Sequence, residues 1–163
     1  MSSAWATDQR DISVALRTLP LLTHKITSPA AVAIVYNPAN PESKTDAETI
    51  KSIIDGGLEA PGGTKLVAAM VSVAELTKLH DVKIAFLAHG LPSTDYASVS
   101  AAASATGVLT ICTDTDCVKA NKCILGIASK PQVEIYYSPV AAALADISFA
   151  PAFSMLVKQV GSM

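Results

Sequence analysis

The sequence predicts an α/β fold of three layers, with a mostly parallel central sheet and antiparallel strands added near the C-terminus. Three observations lead there. Short apolar runs, Ala31–Tyr36, Lys65–Val71, Lys83–Leu87 and Val108–Cys112, alternate with helix-like segments, the pattern of repeated right-handed crossovers onto a parallel sheet. After Cys123 the alternation stops: Ile124–Ser129 and Gln132–Tyr137 follow each other across Lys130-Pro131, as an antiparallel pair would. Finally, half of the residues are apolar yet spread over short runs, as in strands buried on both faces.

Each element has its own signal. Ile12, Ala15, Leu16 and Leu19 lie at i, i+3, i+4, i+7 in Asp11–Leu19, one face of a helix that Pro20 stops. Ala31–Tyr36 is bounded by Pro29 and Asn37-Pro38 and reads as a buried strand. Asn37–Ser43 is a proline-containing loop. Thr45-Asp46-Ala47-Glu48 has the form of a capping box, in which the first hydroxyl accepts from a free amide and the glutamate reaches back. The helix it would open buries Ala47, Ile50, Ile53 and Ile54 and ends at Gly56-Gly57. Ser72-Val73-Ala74-Glu75 repeats the capping pattern and predicts a short helix to Leu79. Ser93–Ala105 is an Ala/Ser-rich helix closed by Gly107. At the C-terminus Phe153, Leu156, Val157 and Val160 share one side of a final helix.

Composition narrows the function. A chain of 163 residues suffices for one domain with a full core, and residues 1–163 read as one such domain with residues 1–10 as a flexible lead. Net charge is -2; no basic stripe is present, so nucleic acid is not an expected partner. Mean hydropathy is high, at +0.40, but no charge-free apolar run reaches the ~18 residues of a membrane span. Ala4-Trp5-Ala6 has the small-x-small form of a leader-cleavage site, although no apolar leader core precedes it.

In a parallel sheet, ligands bind beyond the carboxyl ends of the strands. Asn37, Asn40, Ser43, Ser72, His89 and the pair Asp114 and Asp116 fall there and are the candidate ligand-binding residues. Polar loops are equally needed there to cap helices. No glycine-rich phosphate loop follows any strand, and Asp114 and Asp116 lack the glycine and distal glutamate of a calcium loop. Cys112, Cys117 and Cys123 are spaced by five and six, unlike the close pairs of structural zinc sites. Neither a metal nor a cofactor is expected. The spacing leaves two readings of the cysteines open: a bridge across the turn between Cys117 and Cys123, or three independent thiols. A thiol enzyme would need Cys112 exposed beside His89; no motif supports one, and the expected protein is not an enzyme.

The stretch Val108–Val160 resembles the C-terminal half of the YfiR-type family of periplasmic regulators. The matching residues are Val108-Leu109-Thr110, Asp114 and Asp116, Ile124-Leu125-Gly126-Ile127 and Val133-Glu134-Ile135-Tyr136-Tyr137, followed by the closing helix. The resemblance covers about a third of the chain by sequence pattern and the remainder by element order. It implies a processed periplasmic protein that holds a membrane signalling enzyme in check. It also implies a disulfide between Cys117 and Cys123, with Cys112 left as a buried thiol. Two loops, Tyr36-Asn37-Pro38-Ala39-Asn40-Pro41-Glu42-Ser43 and Thr113-Asp114-Thr115-Asp116-Cys117-Val118-Lys119, are similar to loops of periplasmic components of ABC transporters. That likeness implies a shared lobe fold with Ser43 facing ligand, although this chain has length for one lobe only. The expected function is a periplasmic sensor or regulatory domain that binds a small molecule or a membrane signalling partner. The alternative is a one-lobe solute-binding protein serving a transporter component. A homodimer is a further expected assembly.

Overall fold

The computed structural model describes residues 7–58, 60–113, 115–128 and 132–160. These form one seven-stranded sheet in the order β2-β1-β3-β4-β5-β6-β7. The strands are β1 (Ala30–Tyr36), β2 (Leu66–Ser72), β3 (Ile84–Leu87), β4 (Leu109–Cys112), β5 (Leu125–Ala128), β6 (Glu134–Tyr137) and β7 (Lys158–Gln159). Strands β2, β1, β3, β4 and β5 run parallel, β5 and β6 pair antiparallel, and β7 runs parallel to β6. The four expected parallel strands and the antiparallel addition are both present, each within a residue or two of its expected bounds at the start.

Alternation along the strands divides the core between two faces. Val32 and Ile34 of β1, Ile84 and Phe86 of β3, and Leu109 and Ile111 of β4 point to one side. There they meet helices α1 (Gln9–Leu16), α2 (Pro41–Asp55) and α5 (Pro139–Leu144). Ala33, Val35, Ala85, Leu87 and Cys112 point to the other side, toward α3 (Ser93–Thr106), α4 (Thr115–Lys119) and a 3-10 turn at Leu76–Asp81. This is the three-layer arrangement expected. No helix among the described residues is long and apolar enough to cross a membrane.

Four local expectations are corrected. Helix α2 begins at Pro41, capped by Asn40, whose side-chain oxygen accepts from the Glu42 amide at 3.1 Å. The Thr45–Glu48 pattern is therefore interior to the helix: proline at its first turn supplies the start and needs no amide partner there. Ser72 closes β2 instead of opening a helix, and its hydroxyl accepts from the Ala74 amide at 3.1 Å. The lead segment is built into the fold from Thr7 onward: Thr7 is buried, and Asp8 and Asp11 make the reciprocal capping box of α1. The expected closing helix is absent. The chain makes α5, a 3-10 turn at Pro151–Met155 and then β7. Phe153 stacks on Phe149, centroids 3.9 Å apart, and both rings meet the edge of Tyr137. That aromatic packing and the pairing of β7 with β6 outweigh a helical spacing in which Leu156 is left 60% exposed.

Two contacts fix the C-terminal half. Ser138, fully buried, caps α5 by accepting from the Ala141 amide and donates to Asn121 Oδ1 at 2.6 Å. Gly126 lets α4 lie directly on β5: a Cβ there would stand 2.6 Å from Val118 Cγ1 and 3.2 Å from Val118 Cβ. At the sheet edge, Lys158 donates to Glu134 at 2.8 Å and Tyr136 also donates to that carboxylate. Lys119 and Lys158 both lie over the Tyr136 ring, 5.4 and 5.9 Å from its centroid.

Two predictions follow from this packing. Gly126→Ala should destabilise the fold by about 1–3 kcal/mol through overpacking against a branched side chain that cannot swing away, read as a shift in urea midpoint at unchanged slope. The hydrogen bonds from Lys158 and then Tyr136 hold the Glu134 carboxyl down to about 2. A depressed carboxyl stabilises the fold above the ordinary glutamate range near ~4.3 and loses that contribution as the pH falls. Carboxyl-carbon NMR should show Glu134 ionised until about pH 2; an ordinary midpoint would mean that β7 is not docked through this residue.

Candidate functional site

The strand order creates a reversal. From β1 the chain crosses through α2 to β2 on one flank, then returns to β3 on the other flank of β1. The carboxyl ends of β1 and β3 therefore diverge into loops on opposite faces, the place where open α/β sheets take ligands. Strands β1, β3 and β4 are adjacent at the centre, as the strand-end site requires.

The loops meet there through a defined set of hydrogen bonds. Asp46, one turn into α2 and 4% exposed, is the hub. Its Oδ1 accepts from the Thr7 amide at 2.7 Å, and its Oδ2 accepts from the Thr7 hydroxyl and the His89 amide, each at 2.9 Å. His89 Nε2 lies 2.6 Å from Thr113 Oγ1, which is 3.3 Å from Thr7 Oγ1. Four segments, the lead, α2, the end of β3 and the end of β4, are thus joined in one polar cluster.

A second set lies beside it. The Asn37 amide donates to Ser43 Oγ at 2.9 Å, Asn37 Oδ1 accepts from the Ala39 amide, and Asn37 Nδ2 donates to Asp95 at the start of α3. Asn40 Nδ2 reaches across to the Gly90 carbonyl at 3.0 Å. Gly90 has φ 86, and a Cβ on it would stand 2.6 Å from Asn40 Nδ2. Only glycine allows this turn to close down onto α2.

The expected site residues divide accordingly. Asn37, Asn40, Ser43 and His89 are brought together. Ser43 is fully buried and its hydroxyl closes the β1–α2 turn, so it faces Asn37 and not an open crevice. Ser72 ends the outer strand β2 and is bonded within its own turn. Asp116 is exposed on the first turn of α4, and Asp114 lies outside the described residues. Thr113 follows β4 at the strand ends, as its place in the sequence implies, whereas Thr7 and Asp46 are partners that sequence reasoning missed. Asp46 was visible only as part of a misplaced capping box, and nothing local marks Thr7.

The cluster's buried carboxylate, Asp46, is not bonded to the imidazole of His89. A triad needs its acid on the imidazole ring, whereas Asp46 accepts from the His89 backbone amide. Cys112 is 2% exposed and turns into the α3-side core, away from the rim. The cysteines come together on the α3 side of the sheet. The Sγ atoms of Cys112 and Cys123 stand 2.7 Å apart, and Cys117 lies with them. Cys112 is not set apart from the other two, since the three Sγ atoms all lie within 4.8 Å of one another. Burial pushes the Cys123 thiol well above its ordinary value, and hydrogen bonding with Cys112 and Cys117 adds to that.

At the opposite, amino end of the sheet lies a cleft of ≈ 630 Å³. Leu22, Lys25, Lys83, Leu109, Asp146 and Ile147 are among its lining residues. No sequence signal pointed to it, since its walls come from strand starts and helix ends.

With the geometry in place, comparison with known proteins bears on the fold. No family model matches the sequence, and no curated protein sequence does. Solved structures do match. One is a conserved domain protein from Vibrio cholerae O1 biovar El Tor strain N16961, with a TM-score of 0.62 at 13% identity. Another is the ABC domain from Streptococcus pneumonia in complex with L-Trp, with a TM-score of 0.64 at 11% identity. Each alignment covers 93% of this chain and 59% of the other. This chain therefore spans about three-fifths of the length of these neighbours, and at such identities the shared property is the α/β fold.

The hub generates a prediction. Asp46→Ala leaves buried amides of two remote segments without an acceptor and should cost about 1–3 kcal/mol or more. Asp46→Asn keeps one acceptor oxygen and should cost less. Chemical denaturation orders the variants; equal stability of all three proteins would remove Asp46 from the centre of the site.

Proposed function

We propose that the chain is a non-catalytic ligand-binding and regulatory domain whose carboxyl-end rim is its recognition surface. The observation that carries the reading is the convergence of Asn37, Asn40 and His89 at the sheet's switch point, locked from behind by Asp46 and Thr113. A ligand approaching this rim meets groups whose positions are already set, so binding loses little to ordering. Likeness in fold to a domain that binds L-Trp supports a small polar ligand as the first class to test. The rim's described polar groups bond one another, which suits a surface that closes over ligand together with a partner.

The regulatory part of the reading rests on the resemblance of Val108–Val160 to YfiR-type proteins, and the periplasmic location rests on that resemblance and on Ala4-Trp5-Ala6. A membrane signalling protein is the proposed partner. Exposed apolar residues at the C-terminal edge, Leu144, Met155 and Leu156, at 60–86% exposure, favour a protein contact there. Solute delivery to a transporter is the second reading, favoured by the same L-Trp-bound neighbour.

The test is a thermal-shift screen of amino acids and related small polar molecules, followed by calorimetry on any hit. His89→Ala and Asn37→Ala should each weaken binding by about tenfold, or ~1.4 kcal/mol, with the fold retained. Binding that survives both changes but is lost on Lys83→Ala would place the ligand in the amino-end cleft and reject the rim. A chain that binds no small molecule but retains a membrane protein through Leu156 would leave the regulatory reading alone standing.

A further inference from the structure

Three sulfur atoms from three separate segments meet inside the α3-side core. Cys112 closes β4, Cys117 lies on α4, and Cys123 stands just before β5. Each is at most 2% exposed. Their Sγ atoms all lie within 4.8 Å of one another. Spacings of five and six in sequence hide this, because the short helix α4 folds the chain back so that β5 pairs with β4. Gly126 completes the approach: without a Cβ it lets Val118, and so the turn carrying Cys117, settle onto β5.

The donor set is sulfur alone, with no histidine or carboxylate in the group. Thiolate sulfur selects soft ions, copper(I) and zinc among them. Structural zinc is almost always four-coordinate, and here the surroundings beyond the third sulfur are apolar, with Leu87, Val99 and Val118 in the same cluster. A trigonal ion suits three donors. At metal–sulfur distances of about 2.3 Å, a planar three-sulfur site places the sulfurs about 4 Å apart. That lies inside the 4.8 Å span. It asks Cys112 and Cys123, now 2.7 Å apart, to separate by about 1.3 Å, within reach of small side-chain rotations.

We propose that Cys112, Cys117 and Cys123 form a buried binding site for one soft closed-shell cation, copper(I). No electron is transferred on binding. Each cysteine that becomes a thiolate releases its proton to solvent, and the ion replaces S–H bonds with metal–sulfur bonds. The site is separate from the rim, because Cys112 faces the core on the α3 side while His89 and Thr113 face each other at the strand ends.

The reduced full chain, kept free of oxygen, is titrated with copper(I) held by a competing coloured chelator, and stoichiometry is read by native mass spectrometry. One copper per chain should be withdrawn from the chelator, with thiolate-to-copper absorption in the near ultraviolet and an unchanged circular-dichroism spectrum. Loss of an outer partner of a metal site weakens binding by about 10–100-fold, so Cys117→Ala, which removes a ligand, should weaken it by at least about tenfold. Cys117→Val refills the volume and keeps the test meaningful should the alanine variant not fold. Three results would overturn the proposal. One is a folded, reduced chain that leaves the chelator untouched. Another is copper affinity unchanged in a folded Cys117 variant. The third is a Cys112–Cys123 crosslink that resists reduction while the chain stays folded.

Discussion

A single buried carboxylate holds the loops at the carboxyl end of this sheet together. Asp46 sits where α2 passes the ends of β1 and β3, and it accepts from donors that are 39 and 43 residues away in sequence. A charge of that kind is tolerated inside a protein only when its oxygens are matched by donors. Asp46 has two backbone amides and a hydroxyl. Because the His89 amide is one of them, the turn after β3 cannot drift, and the ring is delivered to Thr113. Because Thr7 supplies the other two, the start of the described chain is drawn to the strand ends. The positive φ of Gly90 and its close approach to Asn40 belong to the same constraint, since a turn bearing a side chain would stand off from α2 and break the bond to the Gly90 carbonyl.

How much of this was legible in the sequence depended on the range of the interaction involved. The central strands were legible because Ala31–Tyr36, Lys83–Leu87 and Val108–Cys112 are apolar on both faces, and only a doubly covered sheet accommodates that. The antiparallel turn after Cys123 was legible from two adjacent strand-like runs. The start of α2 was misread because Thr45-x-x-Glu48 satisfies a local rule that Asn40-Pro41 satisfies one turn earlier and better. The closing helix was misread for a different reason. Phe153, Leu156, Val157 and Val160 keep a helical spacing, but Phe153 is claimed by Phe149 and Tyr137, and the open edge of β6 takes up Lys158 and Gln159. At the site, Asn37, Asn40 and His89 could be placed from topology alone. Thr113 could be placed there too, but Thr7 and Asp46 could not, because their roles arise from contacts between distant segments.

The same reasoning explains the cysteines. A spacing rule for metal or disulfide sites assumes that neighbours in sequence supply the ligands. Here adjacency comes from the sheet: Cys112 pairs with Gly126 in the β4–β5 ladder, and Cys123 stands two residues before β5. Cys117 joins them because Gly126 leaves room for α4. The identity of one glycine in β5 thus sets the geometry of three thiols, none of which it touches chemically.

A rim whose polar groups already bond one another constrains what it can recognise. The buried side-chain polar atoms among the described residues all have partners, so no unsatisfied group within the rim draws a ligand inward. Recognition there depends on the outward capacity that remains. His89 and Asn37 are only half-buried, and a carbonyl or carboxylate already accepting one hydrogen bond retains a second lone pair. A surface so held is set before anything meets it, so little ordering would be lost on contact.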